Sequence, residues 1–433
     1  MKQKSLFRWV GMRQGDVLKK ELGAGIISYF SVVYIVMVNA SILADAGMPL
    51  QAAMVGTLLT SIAGCLFMAF IGKSPIIVVP GMGINAFFAY TLVHSMKLTW
   101  QEALAVVTIT GILFAVVAFT NLYKVISEAI PHNLQHGITV GIGLFLTFIG
   151  LQKSGIVVAH QTTFVTIGHF DDPGVLTACL TLLLAFVLFV RNVQGGLLIS
   201  MVAGTILAYV LGAAEAPSQM MSASEPIREY GQLFGELSFT GLVNLSFWIA
   251  VFLLLLIVVF ENIGLIASHT NITQRPETFK GSLRALSITN VFAGIFGTSP
   301  VVAAAETTAG IAAGGRTGLT PLTTAVLFGA TFLLIPLLTL IPDSAIAPIL
   351  IIIGGLMVQS VKDIKFSEYT EAFPAFLIMV MIPFTYSIVD GMAFGFIAYP
   401  VAKLAAGQGR EVPKVMYFIA VLFLLNFVVY ALL

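Results

Sequence analysis

The sequence predicts an all-α membrane protein of fourteen transmembrane segments, a seven-plus-seven inverted repeat whose third and tenth segments are broken by a short β-strand and a half-helix. Three observations lead there. The 433-residue chain is 58% hydrophobic and 9% charged, whereas a soluble domain carries roughly 25% charged residues. Two polar, glycine-containing segments deep inside the apolar chain look like copies of each other. Nearly all Lys and Arg fall on one side of the membrane once the spans are alternated.

A helix needs about 20 apolar residues to cross a bilayer. Such segments, some short, fall at 23–44, 50–72, 76–93, 101–121, 136–152, 174–191 and 195–213, then at 246–268, 283–297, 301–314, 318–341, 345–361, 371–388 and 390–405. A further apolar stretch at 413–433 is expected to lie in the interface as an amphipathic helix. With the N-terminus inside, every one of the 21 basic residues lies inside except Lys97, Lys153 and Arg228. The positive-inside rule describes that asymmetry, and one missed or invented span in the middle would scramble it. The protein is therefore expected in the cell membrane, multi-pass, with a cytoplasmic N-terminus.

Residues 1–22 carry Lys2, Lys4, Arg8 and Arg13 without a cleavage-like signal and read as a retained cytoplasmic arm. A net charge of +1 gives no reason to expect nucleic acid as a partner. Cys65 and Cys179 both fall in spans and suggest neither a disulfide framework nor a metal site. The loop at 214–245, with Glu215, Glu225, Glu229 and Glu236, is too short for a domain and marks the break between the halves. Because seven is odd, the second half must run inverted relative to the first.

The third elements carry the internal copies. One reads Ser74-Pro75-Ile76-Ile77-Val78-Val79-Pro80-Gly81-Met82-Gly83-Ile84-Asn85; the other reads Ser299-Pro300-Val301-Val302-Ala303-Ala304-Ala305-Glu306-Thr307-Thr308-Ala309-Gly310. Paired, interrupted segments in two halves of a membrane chain point to a transporter's binding site. In hydrocarbon every backbone N–H and C=O must be bonded internally, so two such segments crossing antiparallel could satisfy each other. The half-helix N-termini would then offer N–H groups and partial positive charge to a cavity. Gly81 and Gly83 would let a planar polar solute approach the backbone. Simple kinking at Pro75 and Pro300 is the competing reading, but glycine and polar residues follow at matched positions in both halves. The fifth elements echo each other more weakly, through Gly141 and Gly143 in one and Gly354 and Gly355 in the other. Helix–helix contact is the ordinary role of such glycines.

Two carboxylates, Glu261 and Glu306, fall within otherwise apolar spans. A charge at that depth costs about 2.5–3.5 kcal/mol on insertion scales, and such residues usually line a polar path. Burial and a second nearby carboxylate both favour proton uptake, so the pair could carry a proton through a transport cycle. Glu306, at the start of a half-helix, is the better candidate for direct solute contact. The histidines, His136 included, fall mostly at span ends or loops and read as interfacial. Tyr34 and Phe87 are packing residues first, with one aromatic expected to stack on a planar solute.

Gly81-Met82-Gly83-Ile84-Asn85-Ala86-Phe87-Phe88-Ala89-Tyr90, Glu306-Thr307-Thr308-Ala309-Gly310 and Gly314-Gly315-Arg316-Thr317-Gly318, with Tyr34 to Asn39 in the first span, resemble the purine permeases of the nucleobase–ascorbate transporter superfamily. The adenine/guanine/hypoxanthine branch is the closer match, and the likeness covers nearly the whole chain. It implies a core domain in two parts, 23–121 and 246–341, and a gate domain in two parts, 122–245 and 342–405, followed by a hydrophobic segment at 406–433. It implies a base bound between the two short strands and the eighth span, contacted by Asn85, Glu261 and Glu306, with Glu261 linked to the proton. Where that branch usually reads Phe-Asp-Thr-Ala-Gly-Thr, this chain reads Phe260-Glu261-Asn262-Ile263-Gly264-Leu265; the usual Glu-Ser pair is Glu306-Thr307. These departures change the donors expected in the pocket and leave the purine open.

The expected function is a proton-coupled symporter that imports a purine nucleobase such as adenine, guanine or hypoxanthine. Its substrate-binding residues would be Asn85, Glu261, Glu306, Gly81, Gly83, Thr307, Phe87 and Tyr34, with proton coupling through Glu261 and Glu306. Purine, proton and membrane lipid are the expected partners, a homodimer is compatible with the reading, and no cofactor or metal is expected. The alternative is an anion transporter or channel of the same architecture, which would favour a neutral or basic residue in place of Glu306. A membrane-embedded enzyme lacks support: there is no His-Glu-x-x-His, Gly-x-Ser-x-Gly or phosphate loop.

Overall fold

A computed structural model describes residues 8–12, 17–120, 122–123, 130–215 and 225–432. Residues 1–7 and 13–16 of the expected N-terminal arm, and residues 216–224 of the loop expected to divide the halves, lie outside them. In chain order the elements are α1 (Leu18–Val32), α2 (Ile35–Asp45), α3 (Leu50–Phe67), β1 (Val78–Pro80), α4 (Met82–Ala86), α5 (Trp100–Phe119) and α6 (His132–Lys153). The strands β2 (Val157–His160) and β3 (Phe164–Ile167) follow, then α7 (Pro173–Val190), α8 (Gly196–Val210), α9 (Glu225–Tyr230), α10 (Leu245–Thr273) and α11 (Phe279–Ile295). Last come β4 (Val301–Ala303), α12 (Thr307–Ala312), α13 (Leu319–Thr331), α14 (Ile335–Leu338), α15 (Asp343–Val358), α16 (Tyr369–Thr385), α17 (Ile388–Ala405) and α18 (Lys414–Leu432). Among the described residues nine helices are long and apolar enough to cross a membrane, with shorter apolar helices beside them. Large apolar side chains such as Leu183, Phe186, Val190, Ile206 and Val210 point outward on α7 and α8. An apolar exterior of this kind makes a multi-pass membrane protein.

The interrupted segments take the form that their sequences imply. β1 and β4 pair antiparallel, with Val78 opposite Ala303, Val79 opposite Val302 and Pro80 opposite Val301. Each ladder end is extended by one bond, from Gly81 N–H to Pro300 C=O (3.1 Å) and from Ala304 N–H to Ile77 C=O (2.8 Å). A two-stranded ribbon leaves two outer edges, which cannot stay bare away from water. Side chains close them. Asn290 donates to and accepts from Val301 at 3.0 Å each. Asn262 accepts from Ala303 N–H at 3.1 Å, Thr307 Oγ1 accepts from Ile77 N–H at 3.1 Å, and the Cys65 thiol donates to Val78 C=O. After α4 the chain continues at Phe87–Ser95 as a π-helix, a local form often found at functional sites.

Behind the ribbon lies a buried polar hub. Asn39 donates to Thr57 (2.8 Å) and Thr298 (3.0 Å) and accepts from Asn85 and Ser299 (3.1 Å each). It thereby ties α2 and α3 to the half-helix of the first split segment and to the start of the second. An orphaned buried polar group costs about 1–3 kcal/mol, and Asn39→Ala strands several at once. The expected result is a loss of about 3 kcal/mol, read as a fall in Tm of the purified protein; an unchanged Tm would contradict the hub's role.

On the other side of the ribbon, α6 and α15 cross so closely that a Cβ on Gly354 would lie 2.4 Å from the Gly143 carbonyl oxygen. That is the helix-contact role expected for these glycines. Gly141 is likewise closed in by α16, whereas Gly355 meets nothing.

Three features differ from expectation. The first helix begins at Leu18 rather than residue 23. A β-hairpin, β2–β3, fills the connection after α6, where the short runs Val157–His160 and Phe164–Ile167 lack the alternation that marks a strand; its residues are mostly exposed. α18 lacks the polar face of an interfacial helix. Met416, Ile419 and Phe423 are buried, with Phe423 packed against Phe396 of α17 (5.6 Å between ring centroids), while Phe418, Val421 and Leu424 on the open side are equally apolar. A helix apolar all round belongs in protein or lipid rather than at a surface.

Candidate functional site

A cavity of about 460 Å³ opens beside the crossed strands. One wall is Val79 and Pro80 of β1, Ala303 of β4 and the turn leading into α12. A second is α10 between Leu256 and Leu265. Facing both are the first half of α6, the last turns of α15, and Met392 of α17. The space therefore lies between the split-segment body and the α6–α15–α17 group.

Glu306 and Glu261 both line this cavity. Glu306 enters because β4 ends in a turn that swings its side chain forward. The N–H groups of Thr307, Thr308 and Ala309 bond back to Ala304, Ala305 and Glu306 carbonyls at 3.0–3.2 Å. The first amides of α12 are thus taken up within the turn, and the half-helix presents a carboxylate to the cavity as well. Tyr34 holds Glu306 from behind: its hydroxyl donates to Oε1 at 2.5 Å. Tyr34 sits where α1 gives way to α2, and the bonds Val36 N–H to Val33 C=O and Met37 N–H to Tyr34 C=O tighten the chain locally. With one oxygen occupied, the other can accept from a solute. Glu261 has no hydrogen bond to any described residue, so both its oxygens are available.

The remaining expected contacts divide. Gly83 lines the cavity, and Gly81 stands at the end of β1 against Val302. Asn85 does not line it: the side chain is fully buried, its amide donates to Asn39, and its Oδ1 lacks a partner. Thr307 is turned to Ile77 and closes a strand edge. Phe87 is fully buried and packs in the core, away from the lining residues. Tyr34 reaches the site only through Glu306. Asn262 bonds the β4 edge and does not line the cavity, whereas Leu265, where the family's motif has threonine, lines it and brings no donor.

Gln135, His136 and Thr139 on α6 also line the cavity, as does Ser360 just beyond α15. Sequence reasoning assigned His136 to the interface. The available signal was spacing: positions 135, 136 and 139 fall on one face at the start of an apolar helix.

The far end of this cleft is shut. Lys153 Nζ at the end of α6 lies 2.8 Å from Asp45 of α2 and 3.9 Å from Asp343 of α15, and donates to Ser41 at 3.1 Å. Tyr90 donates to the other Asp45 oxygen. Beneath these, Tyr90, Phe145 and Tyr386 meet edge to face, with ring centroids 5.0–5.6 Å apart.

Residues 19–429 match the model of a family described as the permease family. A nucleobase transporter of Paenibacillus larvae is 47% identical over 381 residues, covering 88% of this chain and 76% of that protein. A guanine/hypoxanthine permease of Bacillus subtilis is 39% identical over 425 residues, covering 95% and 98%. Among solved structures, the transmembrane domain of a cyanobacterium bicarbonate transporter shares the fold, with a TM-score of 0.63 at 17% identity over 91% of this chain and 98% of that one. The chain belongs to the permease family, as a membrane transporter rather than an enzyme, within the nucleobase–ascorbate transporter superfamily that its motifs resemble.

Proposed function

We propose that the protein is a proton-coupled symporter that imports a purine nucleobase of the guanine, hypoxanthine or adenine type. The observation that carries this reading is one cavity reached by two carboxylates from two different elements, Glu261 on α10 and Glu306 immediately before α12. Purine bases present ring N–H and exocyclic N–H donors, and an ionised carboxylate is purely an acceptor. The names of the two relatives agree with that chemistry.

The architecture we propose is the fourteen-crossing inverted repeat with a cytoplasmic N-terminus. Its core holds α1–α5 and α10–α14; its gate holds α6–α8 and α15–α17. In that orientation the cavity is lined from the cytoplasmic half, and the Lys153–Asp45–Asp343 cluster with its aromatic plug lies outside. The conformation is then inward-facing, with the outer path closed by contacts that join core to gate. Transport would break that closure, load base and proton from outside, and release both inward as the core shifts against the gate. Glu306 and Glu261 both contact the base. Glu261, which no described residue holds by a hydrogen bond, takes and releases the proton. Asn85 acts at one remove, by setting α4 against the Asn39 hub, and Gly83 and Pro80 give the base a flat backbone wall.

The fold is shared with a bicarbonate transporter, which raises the anion alternative. Against it, the described residues that line the cavity include two Glu and no Lys or Arg. Uptake of labelled guanine, hypoxanthine and adenine into proteoliposomes, with and without an inward proton gradient, tests the proposal. Gradient-driven accumulation of an unchanged base is expected. Bicarbonate uptake without purine uptake would overturn it.

A further inference from the structure

Four glycines inside membrane helices, Gly23, Gly264, Gly329 and Gly355, would meet no atom if given a Cβ, and of these Gly264 is the one that lines the cavity. It lies inside α10, one turn beyond Glu261, and its residue is exposed to the cavity. A Cβ built there would meet no atom within 4 Å. By contrast, a Cβ on Gly83 would come within 2.9 Å of Ile142, and one on Gly111 within 2.5 Å of the α11 backbone. Those glycines let helices or a half-helix pack; Gly264 does not. Its φ is also ordinary for a helix, since it is absent from the positive-φ residues. Glycine is nevertheless the poorest choice for a helix interior after proline. Helix stability would be better served by alanine, and neighbouring atoms would permit it. What a side chain at 264 would take away is room beside Glu261.

We infer that Gly264 is a specificity-determining position: the missing side chain makes the space in which the second ring of a bicyclic base lies against α10 while its N–H groups face Glu261. This rests on the purine reading above and adds the reason that the pocket accepts two fused rings. A methyl group at 264 narrows that space, and an isopropyl group fills it. One methylene of misfit changes discrimination by roughly 10–200-fold. A single-ring pyrimidine, being shorter, would be affected far less.

The test uses the purified full chain in proteoliposomes, comparing wild type, Gly264→Ala and Gly264→Val. Tm is expected to stay level or rise in Gly264→Ala. KM for hypoxanthine is expected to rise at least about tenfold in Gly264→Val, while inhibition by uracil is retained or gained. An unchanged hypoxanthine KM in Gly264→Val would overturn the inference. So would a marked fall in Tm in Gly264→Ala, because the site would then be packed rather than open.

If wild type transports no purine, the functional reading fails first, and the space is then judged separately. Gly264→Cys, on a chain in which Cys179→Ser removes the half-buried native thiol and Cys65 stays buried, should react quickly with a small water-soluble methanethiosulfonate. It should react slowly with a bulky one. A thiol at 264 that is inert to the small reagent would overturn the inference on its own.

Discussion

Glu306→Gln is expected to remove high-affinity purine binding, lowering affinity by about 2–3 kcal/mol, the worth of a hydrogen bond to a charged group together with its desolvated partner. Two losses combine. The amide carries no charge for the base's N–H donors to meet. Its one carbonyl oxygen is already the natural acceptor for the Tyr34 hydroxyl, which now holds Oε1 at 2.5 Å, leaving an NH2 group facing the cavity. A donor would then meet a donor. The fold should survive, because glutamine has the same shape and Glu306 is only half-buried. Equilibrium binding of labelled guanine or hypoxanthine to purified variant, with Tm as the control, measures it. Wild-type affinity in a stable variant would remove Glu306 from direct contact.

Glu261→Gln separates binding from coupling. The variant should still exchange labelled for unlabelled base across a membrane without a gradient, and should lose accumulation driven by an inward proton gradient, by tenfold or more on the scale of one 1.4 kcal/mol step. The reason is geometric. Glu306 is held by Tyr34, whereas Glu261 stands on α10 with no described partner. A group without a fixed donor can gain and lose a proton without breaking the site. Undiminished uphill uptake in Glu261→Gln would assign the coupling elsewhere, and His136 on the facing helix would be the next residue to examine.

Much of the candidate site's geometry was legible in the amino-acid order because hydrocarbon tolerates few backbone breaks. Ser-Pro, a short apolar run and a glycine or carboxylate, repeated in both halves, left the crossed ribbon as the arrangement able to satisfy its own groups. Glu261 and Glu306 stood out because charge is costly at that depth. Side-chain direction was less legible. Asn85, Thr307 and Asn262 are polar and close to the ribbon, and each is used to close backbone or hub bonds rather than to face the cavity. Sequence cannot distinguish a polar residue that serves a solute from one that serves a strand edge a few ångströms away. The facing residues Gln135, His136 and Thr139 were missed for a related reason: they open an apolar helix at a span end, where polar side chains normally meet water. The closure built on Lys153 joins three segments distant in sequence and has no local signature. The β2–β3 hairpin, mostly exposed, lacks the apolar alternation that marks a strand with one face buried.

The proposed purine site is the hollow between the β1–β4 ribbon and α6, with the base hydrogen-bonded to the carboxylates of Glu261 and Glu306. The decisive measurement is a structure of the purified protein with guanine or hypoxanthine bound. The base is expected flat against Pro80 and Gly83, with N–H groups within about 3 Å of both carboxylates. Density for the base outside that hollow, or within it but out of reach of both acids, would refute this assignment.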